Sequence, residues 1–593
     1  MYTRLSFIFL ILVVSFSSCK KEDSDFGINC TDDINAAKNT LQNLDQENVL
    51  ILNIEDTGTH FQLNYENGST QNLSKDCVRS VTEDAEEWTA NVLFHDNDEL
   101  ALGFVGDLAV SYRLNPTGFS PLTARLDVYS PRKGKIKLRV AGKNGPLSDV
   151  CHNFEAYDTR HIVPILGLYP GHNNQIEFSF TDKNGIERKT ESLELFTSEL
   201  PEGYPEIIID VRNEAMMDGH FTLVSNRSVI NSHNRPFIFD AFGDVRWYLD
   251  YTNHLTLNQL GYDVGIERLA NGNFYFGDWS TRHIYEIDVY GVIVNSWQLP
   301  DAGFHHNVQE KPDGNFLVTV NRWGEMHDNG NYAVEDVIYE IDRNSGTLVQ
   351  AWDLKESLDE YRTTWANNLE NEYVDWFHAN AVIYDPSDNT IIVSGRHQGL
   401  VKLDYNNQVQ WIMAPHKEWT TNRQGQDLNQ FLLTPLDAVG NPITDSDVLD
   451  GNDNHPDFEW NWYQHAPLLL PNGNILLFDN GDFRNYTLNE RYSRAVEFAV
   501  NDDNRTIQQI WQYGKERGRE TFSSIVSDVD YLPAKGNVLF CPGAFVNNNP
   551  DGFGAKIVEI NYDTKEVVFE AKLINEGIVF HRSERLSLYS DMY

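Results

Sequence analysis

The chain is short of cations. Lysine and arginine total 46 against 88 for aspartate and glutamate, a formal net charge of −42. A body that acidic repels phosphate backbones, which excludes nucleic acid as a partner. It repels small anions as well, so a site for an anionic substrate has to be locally cationic. Cysteine is scarce too. The five residues are Cys19, Cys30, Cys77, Cys151 and Cys541, and none has CxxC spacing, which argues against a thiolate metal site. The apolar run at 5–16 is too short to span a bilayer, and the composition excludes a polytopic membrane protein. What remains is ordinary globular composition, 41% hydrophobic and 23% charged. At roughly 150 residues per domain it would make about four domains, unless one is a large repeat.

Residues 1–18 read as a signal peptide, with Arg4 as the positive region ahead of the apolar run. Cys19 follows two serines and reads as a lipidation site. The chain is therefore expected to be lipid-anchored in the bacterial envelope, periplasmic or at the outer-membrane surface. The anchor would be its only contact with membrane. Such a compartment permits disulfides, and proximity in sequence suggests Cys30 with Cys77.

After the tether, Thr31 can cap a short helix carrying Ile34, Ala37, Leu41 and Leu44 on one face. Short alternating strands follow to about Tyr112, so 19–114 is read as tether and small β-rich module. Clearer strands separated by Asn-Gly turns make 115–204 a small β-sandwich. From 205 onward the chain repeats. An apolar strand with an acidic end recurs six times, as in Ile284-Tyr285-Glu286-Ile287-Asp288 and Ile338-Tyr339-Glu340-Ile341-Asp342. An aromatic follows each copy: Trp247, Trp297, Trp352, Trp411, Trp511 and Phe569. A second phrase, such as Lys311-Pro312-Asp313-Gly314-Asn315, reads as the turn between two inner strands. The expected fold is all-β, a six-bladed β-propeller over 205–593. One repeat is too long, and the excess at about 416–457 is expected to project as a lid. A smaller helical insertion is expected over 355–371.

The innermost strand of a propeller blade lines the central channel. Counting back six residues from each inner turn gives Val264, His306, His465 and Ser527, and a longer turn gives His378. A single histidine would be read as core; three on one rim point to chemistry. The returning strands bring Arg322 and Arg396 to the same rim, and Asn380 shares a side with His378. The ring is cationic and rich in donors, which suits a compact oxyanion such as sulfate or phosphate. The aromatic stretches at 375–378 and 459–465 supply blade core and, over the rim, an apolar slot for an aryl group.

At these residues the sequence closely resembles the bacterial arylsulfate sulfotransferases. The phrases are Asp375-Trp376-Phe377-His378-Ala379-Asn380, Ser394-Gly395-Arg396-His397-Gln398, Phe304-His305-His306 and Gln464-His465-Ala466-Pro467, and the resemblance covers about 115 to the end. It implies a small N-terminal β-domain before a six-bladed propeller. It also implies transfer of a sulfuryl group from a phenolic sulfate ester to an acceptor phenol through a sulfohistidine, with ping-pong kinetics, no cofactor and no metal. By motif His465 matches the nucleophile, and His306, His378, Asn380 and Arg396 match residues that hold the sulfuryl oxygens. His305 adjoins His306, and a swap of roles stays open. His305 and Arg322 are carried as substrate-binding residues. The insertion lacks the cysteines that family members can carry there, and the module before Tyr112 is extra. Two rival readings stand beside this one: three histidines around Zn²⁺ in a hydrolase, and a non-catalytic propeller that binds sulfated ligands. A homodimer is left open.

Overall fold

The computed structural model describes residues 30–590 except 47–49, 85–88, 104–107, 183–184, 186, 229–233, 262–264, 323, 328, 363–371 and 490. The expected signal at 1–18, the lipidation site Cys19 and the channel position Val264 lie outside the described residues, as does the Cys30 side chain with its expected pairing to Cys77. Cys151 and Cys541 are free thiols.

The chain divides into two compact units. The first holds the helix Cys30–Gln46 and two three-stranded antiparallel sheets, over 51–74 and 78–103. Its core gathers Ile34 and Leu41 from the helix with Leu63, Val92 and Phe94 from the strands. In Thr89–Phe94 every second residue is buried, the period a one-faced strand requires.

The second unit begins at Ala109, earlier than expected. Ala109–Leu114 is not part of the N-terminal module, because it pairs along its whole length with 124–129. It joins Ala124–Val140, Val150–Ile165, Asn173–Thr181 and Glu187–Phe196 in one five-stranded network. The long strand Ala124–Val140 changes partner midway, from 109–114 to 176–181, across a break in register near Gly134. A Cβ at Gly134 would meet the Phe180 ring at 2.5 Å, so the close approach of the neighbouring strand at the break needs glycine.

Residues 206–586 form a β-propeller. Among the described residues its strands fall into six sheets of four or more strands. The innermost strands are Ile266–Arg268, Ala302–Glu310, Ala379–Asp385, His465–Leu469, Asp528–Leu532 and Ile578–Leu586, ranged around a central channel; Ala302–Glu310 meets Phe274–Asp278 of the sheet before it, and the others touch their neighbours directly. The last of these comes from the C-terminal end and pairs with Phe221–Ser228, so one sheet is built from both ends of the domain. Glu206–Arg212 is likewise added to the sheet of Val567–Ile574.

The two repeated phrases turn out to be the two ends of one hydrogen bond. The turn asparagine donates to the glutamate of the acidic-ended strand: Asn273 to Glu286 at 2.7 Å, Asn315 to Glu340 at 2.9 Å, Asn474 to Glu497 at 2.5 Å, Asn537 to Glu559 at 2.7 Å. The repeated tryptophan ties neighbouring sheets. Its indole N–H donates to a carbonyl of the following sheet, Trp247 to Val289 at 2.9 Å, Trp297 to Arg343 at 2.6 Å, Trp352 to Asp404 at 2.8 Å.

The insertion at about 416–457 does not project as a lid. Trp419, Leu428 and Phe431 are buried in the core they share with Trp352 and Trp376. Thr434–Leu436 adds a parallel strand to the outer edge of the sheet whose innermost strand is His465–Leu469. Its polar composition serves local turns, as where Asp427 and Asp445 cap short helices. Of the smaller insertion, Leu354–Ser357 is helical.

Candidate functional site

The channel strands lose their regular register where the histidines sit. Breaks fall between Phe304 and Val308, Ala379 and Ala381, and His465 and Leu468. His306 and His378 adopt φ of 76° and 60°, and Ala466, next to His465, 48°. Non-glycine residues rarely take such values, and they cluster where a site re-aims its side chains. The consequence is direct at His305 and His306. In a regular strand they would face opposite sides. Here their rings lie 4.4 Å apart, and both lie 4.8 Å from the ring of His378.

Four hydrogen bonds order this cluster. His306 Nε2 and His378 Nε2 are 2.9 Å apart and share a proton. His378 Nδ1 meets Asp375 Oδ2 at 2.6 Å, and His397 Nε2 lies 3.4 Å from the same oxygen. His305 Nδ1 meets Asp336 Oδ1 at 2.6 Å; the Ala379 N–H donates to Oδ2 of that wholly buried carboxylate at 2.8 Å. Burial raises the Asp375 carboxyl, but its bonds to His378 and His397 outweigh that and hold it well below the usual range. Burial, and then His305 and His378, push His306 well below the ordinary imidazole value. His378 is lowered by burial against the opposing pull of Asp375.

His465 is built differently. Its Nδ1 lies 2.7 Å from Asn480 Oδ1, an amide rather than a carboxylate. Burial first, and the Arg396 charge second, lower its pKa strongly, so it is neutral near pH 7. Arg396 follows the strand Thr390–Gly395, and its backbone N–H is bonded to His378 O at 3.0 Å. Its guanidinium lies over the Tyr463 ring at 5.2 Å and makes no ion pair among the described residues. Tyr463, Phe483 and Tyr486 line a crevice beside it, while Trp376, Phe377 and Trp460 are buried in blade core. Asn380 donates to Gln464 O at 2.7 Å and so ties its strand to that of His465.

The structure thus brings His305, His306, His378, His465, Asn380 and Arg396 to one end of the channel. Arg322 is a correction. Asp353, on the outermost strand of the same sheet, holds its guanidinium at 2.9 Å, so the arginine is spent within its blade. Ser527 is tied to Ser523 Oγ and the Gly543 N–H. One residue escaped the sequence reading. His581 is buried with its ring 5.2 Å from that of His306, and it acts electrostatically on His465. The turn count could not reach it, because its strand closes the ring from the C-terminus and no inner turn follows. Asp336 and Asn480, which orient His305 and His465, were also unmarked, and Asp375 stood in a quoted phrase without a role. Further along the channel a cavity of about 270 Å³ is lined by Glu267, Asp528, Asp530, Arg582 and Glu584. Burial pushes Asp528 and Glu584 up to about 7.

With this geometry in hand, similarity to known proteins is informative. Residues 209–579 match the Arylsulfotransferase (ASST) family, and 111–198 match the Arylsulfotransferase Ig-like domain. "Arylsulfate sulfotransferase AssT" of Lelliottia amnigena is 28% identical over 551 residues, covering 78% of this chain and 90% of that protein. The protein of the same name from Escherichia coli O6:H1 is 28% identical over 549 residues, with the same shares covered. Among solved structures, a virginiamycin B lyase from Staphylococcus aureus is similar at a TM-score of 0.27 and 10% identity, over 62% of this chain and all of that one (100%). The Dos1 propeller is similar at a TM-score of 0.27 and 8% identity, over 61% of this chain and 74% of that one. Likenesses that distant carry no argument. The match over the propeller does: this chain belongs to the arylsulfotransferase family of enzymes.

Proposed function

We propose that this sulfotransferase moves a sulfuryl group from an aryl sulfate to a phenolic acceptor, in two steps, through a sulfohistidine on His465. The clamp on His465 carries the reading. Asn480 Oδ1 accepts the hydrogen bond from Nδ1–H, so the lone pair sits on Nε2 of a neutral imidazole. In the first step Nε2 attacks sulfur, the sulfur–oxygen bond to the ring breaks, and the phenolate leaves with its electron pair. Charge spreads over the three sulfuryl oxygens, as in phosphoryl transfer. Arg396, the remaining amide hydrogen of Asn380 and the one N–H that His306 and His378 share, turned from its partner ring to the sulfuryl oxygens, supply donors there. In the second step the acceptor oxygen attacks sulfur and the sulfur–nitrogen bond breaks. The phenolic proton passes to His305, whose Nδ1 is held by Asp336. The crevice of Tyr463, Phe483 and Tyr486 suits the aryl ring.

The test is release of 4-nitrophenol from 4-nitrophenyl sulfate, with and without added phenol, in EDTA. Release should depend on the phenol and survive the chelator. Release into water alone, or its loss in EDTA, would sink the transferase reading. His465→Ala should release nothing and form no sulfo adduct; retained activity would remove His465 as nucleophile. The same proposal places the protein in the bacterial envelope on a lipid at Cys19. Lipid labelling that persists in Cys19→Ala would refute the anchor. No helix among the described residues is long and apolar enough to cross a membrane.

A further inference from the structure

We propose that His305, His306 and His378 form a binding site for a divalent transition-metal cation, Zn²⁺ above all, which blocks the sulfuryl pocket instead of serving catalysis.

One ring nitrogen from each of the three histidines lies within 4.8 Å of the other two. His306 Nε2 and His378 Nε2 are 2.9 Å apart. Nitrogens bound to tetrahedral Zn²⁺ at about 2.0–2.1 Å stand about 3.3 Å from one another. The pair is already at that spacing to within a few tenths of an ångström; the cation takes the place of the proton between them, His306 keeping its hydrogen on Nδ1, and the third nitrogen closes in. Imidazole is the ligand type that suits Zn²⁺, Cu²⁺ and Ni²⁺.

The surroundings complete the pattern. A metal-bound histidine characteristically donates its other ring N–H to a carboxylate. His305 and His378 do so, to Asp336 and Asp375, each at 2.6 Å. Asp336 is in turn fixed by the Ala379 N–H. These two carboxylates balance the charge of a dication. The His305 and His378 side chains keep 14% and 17% of their surface open, so an ion can enter. A neighbouring group, Asp375 with His378 and His397, has similar spacing. It is the poorer site, because Asp375 would have to give up the hydrogen bond that orients His378.

The site stands independently of the transferase reading; the blocking role rests on it. The probe for the site is Co²⁺ titrated into metal-free full-length protein. One equivalent should bind with the intense visible bands of a tetrahedral centre, and Zn²⁺ should displace it. His305→Gln and His378→Gln should lose the bands, and His397→Gln should keep them. Asp336→Asn should fold and weaken binding about 10–100-fold. Absence of bands in the wild type, their survival in His305→Gln, or a requirement for His397 would overturn the site. The blocking role is read separately: Zn²⁺ should raise KM for 4-nitrophenyl sulfate and leave kcat unchanged. Bands without inhibition would overturn the block and take His306 and His378 out of the sulfuryl pocket, with the metal site intact. If the protein transfers no sulfuryl group at all, the Co²⁺ titration still decides the site.

Discussion

Asn480 fixes the tautomer of His465. Its amide nitrogen donates to two carbonyls, Ser523 O at 2.8 Å and Val526 O at 3.1 Å, so both amide hydrogens are used. Only Oδ1 is left for His465, and it can only accept, so Nδ1 of the imidazole must carry its hydrogen. A carboxylate at this position would make the ring more basic. The amide leaves it neutral.

That difference is measurable. The acid limb of kcat/KM should lie below the ordinary imidazole value of about 6.5, because burial and Arg396 lower the His465 pKa. Asn480→Asp should move the limb to higher pH, since a carboxylate favours imidazolium. Asn480→Ala should reduce kcat about 10–100-fold, by analogy with loss of other orienting partners. A limb unmoved in Asn480→Asp would break the link between the two residues.

The same lowering has a stability sign. Below about pH 6.5 the unfolded chain binds a proton at His465 that the folded chain refuses, so stability present above that pH is lost as pH falls. Thermal melts between about pH 7.5 and pH 5.5, one unit either side of that value, should show a drop in Tm that is shallower in His465→Gln. Equal slopes would contradict the buried neutral ring.

Arg396 should be needed for turnover and not for folding. It makes no ion pair among the described residues, so its removal strands no buried charge. Arg396→Ala should lower kcat about 10²–10³-fold, the usual cost of removing one donor to a developing oxyanion, with Tm nearly unchanged. Arg396→Lys should not restore it, because a point charge lacks the planar fork. A large fall in Tm would reassign Arg396 as structural.

The insertion at 416–457 should behave as core. Trp419 is 5% exposed and its indole donates to Pro415 O at 2.9 Å. Trp419→Ala should cost about 3–5 kcal/mol of stability, the range for a buried tryptophan. Denaturant titration checks this; a cost below about 1 kcal/mol would restore the picture of a loose flap.

The propeller was legible because its repeats are local. Each turn asparagine and its glutamate lie within one blade, from 13 residues apart for Asn273 and Glu286 to 25 for Asn315 and Glu340. The acidic-ended strand and the following tryptophan record the same geometry over and over. Three channel histidines could be counted from their turns for that reason. The reading failed where no local period exists. His581 sits on the strand that closes the ring, hundreds of residues from its partner Phe221–Ser228. The polar insertion looked like a flap because a few buried residues, Trp419, Leu428 and Phe431, decide its packing while the many turn residues dominate its composition.

By itself, the sequence determined the all-β architecture, the place of the insertion and the identity of the reactive side chains, because strand period and turn chemistry act over short stretches of chain. The tertiary structure alone decided their protonation and aim. It set Asn480 behind His465, Asp336 behind His305 and Asp375 behind His378, and gave Arg322 to Asp353 while Arg396 faces the site. Those choices depend on strand breaks and on which sheet lies next around the channel, and contacts between distant segments leave no periodic trace in the chain.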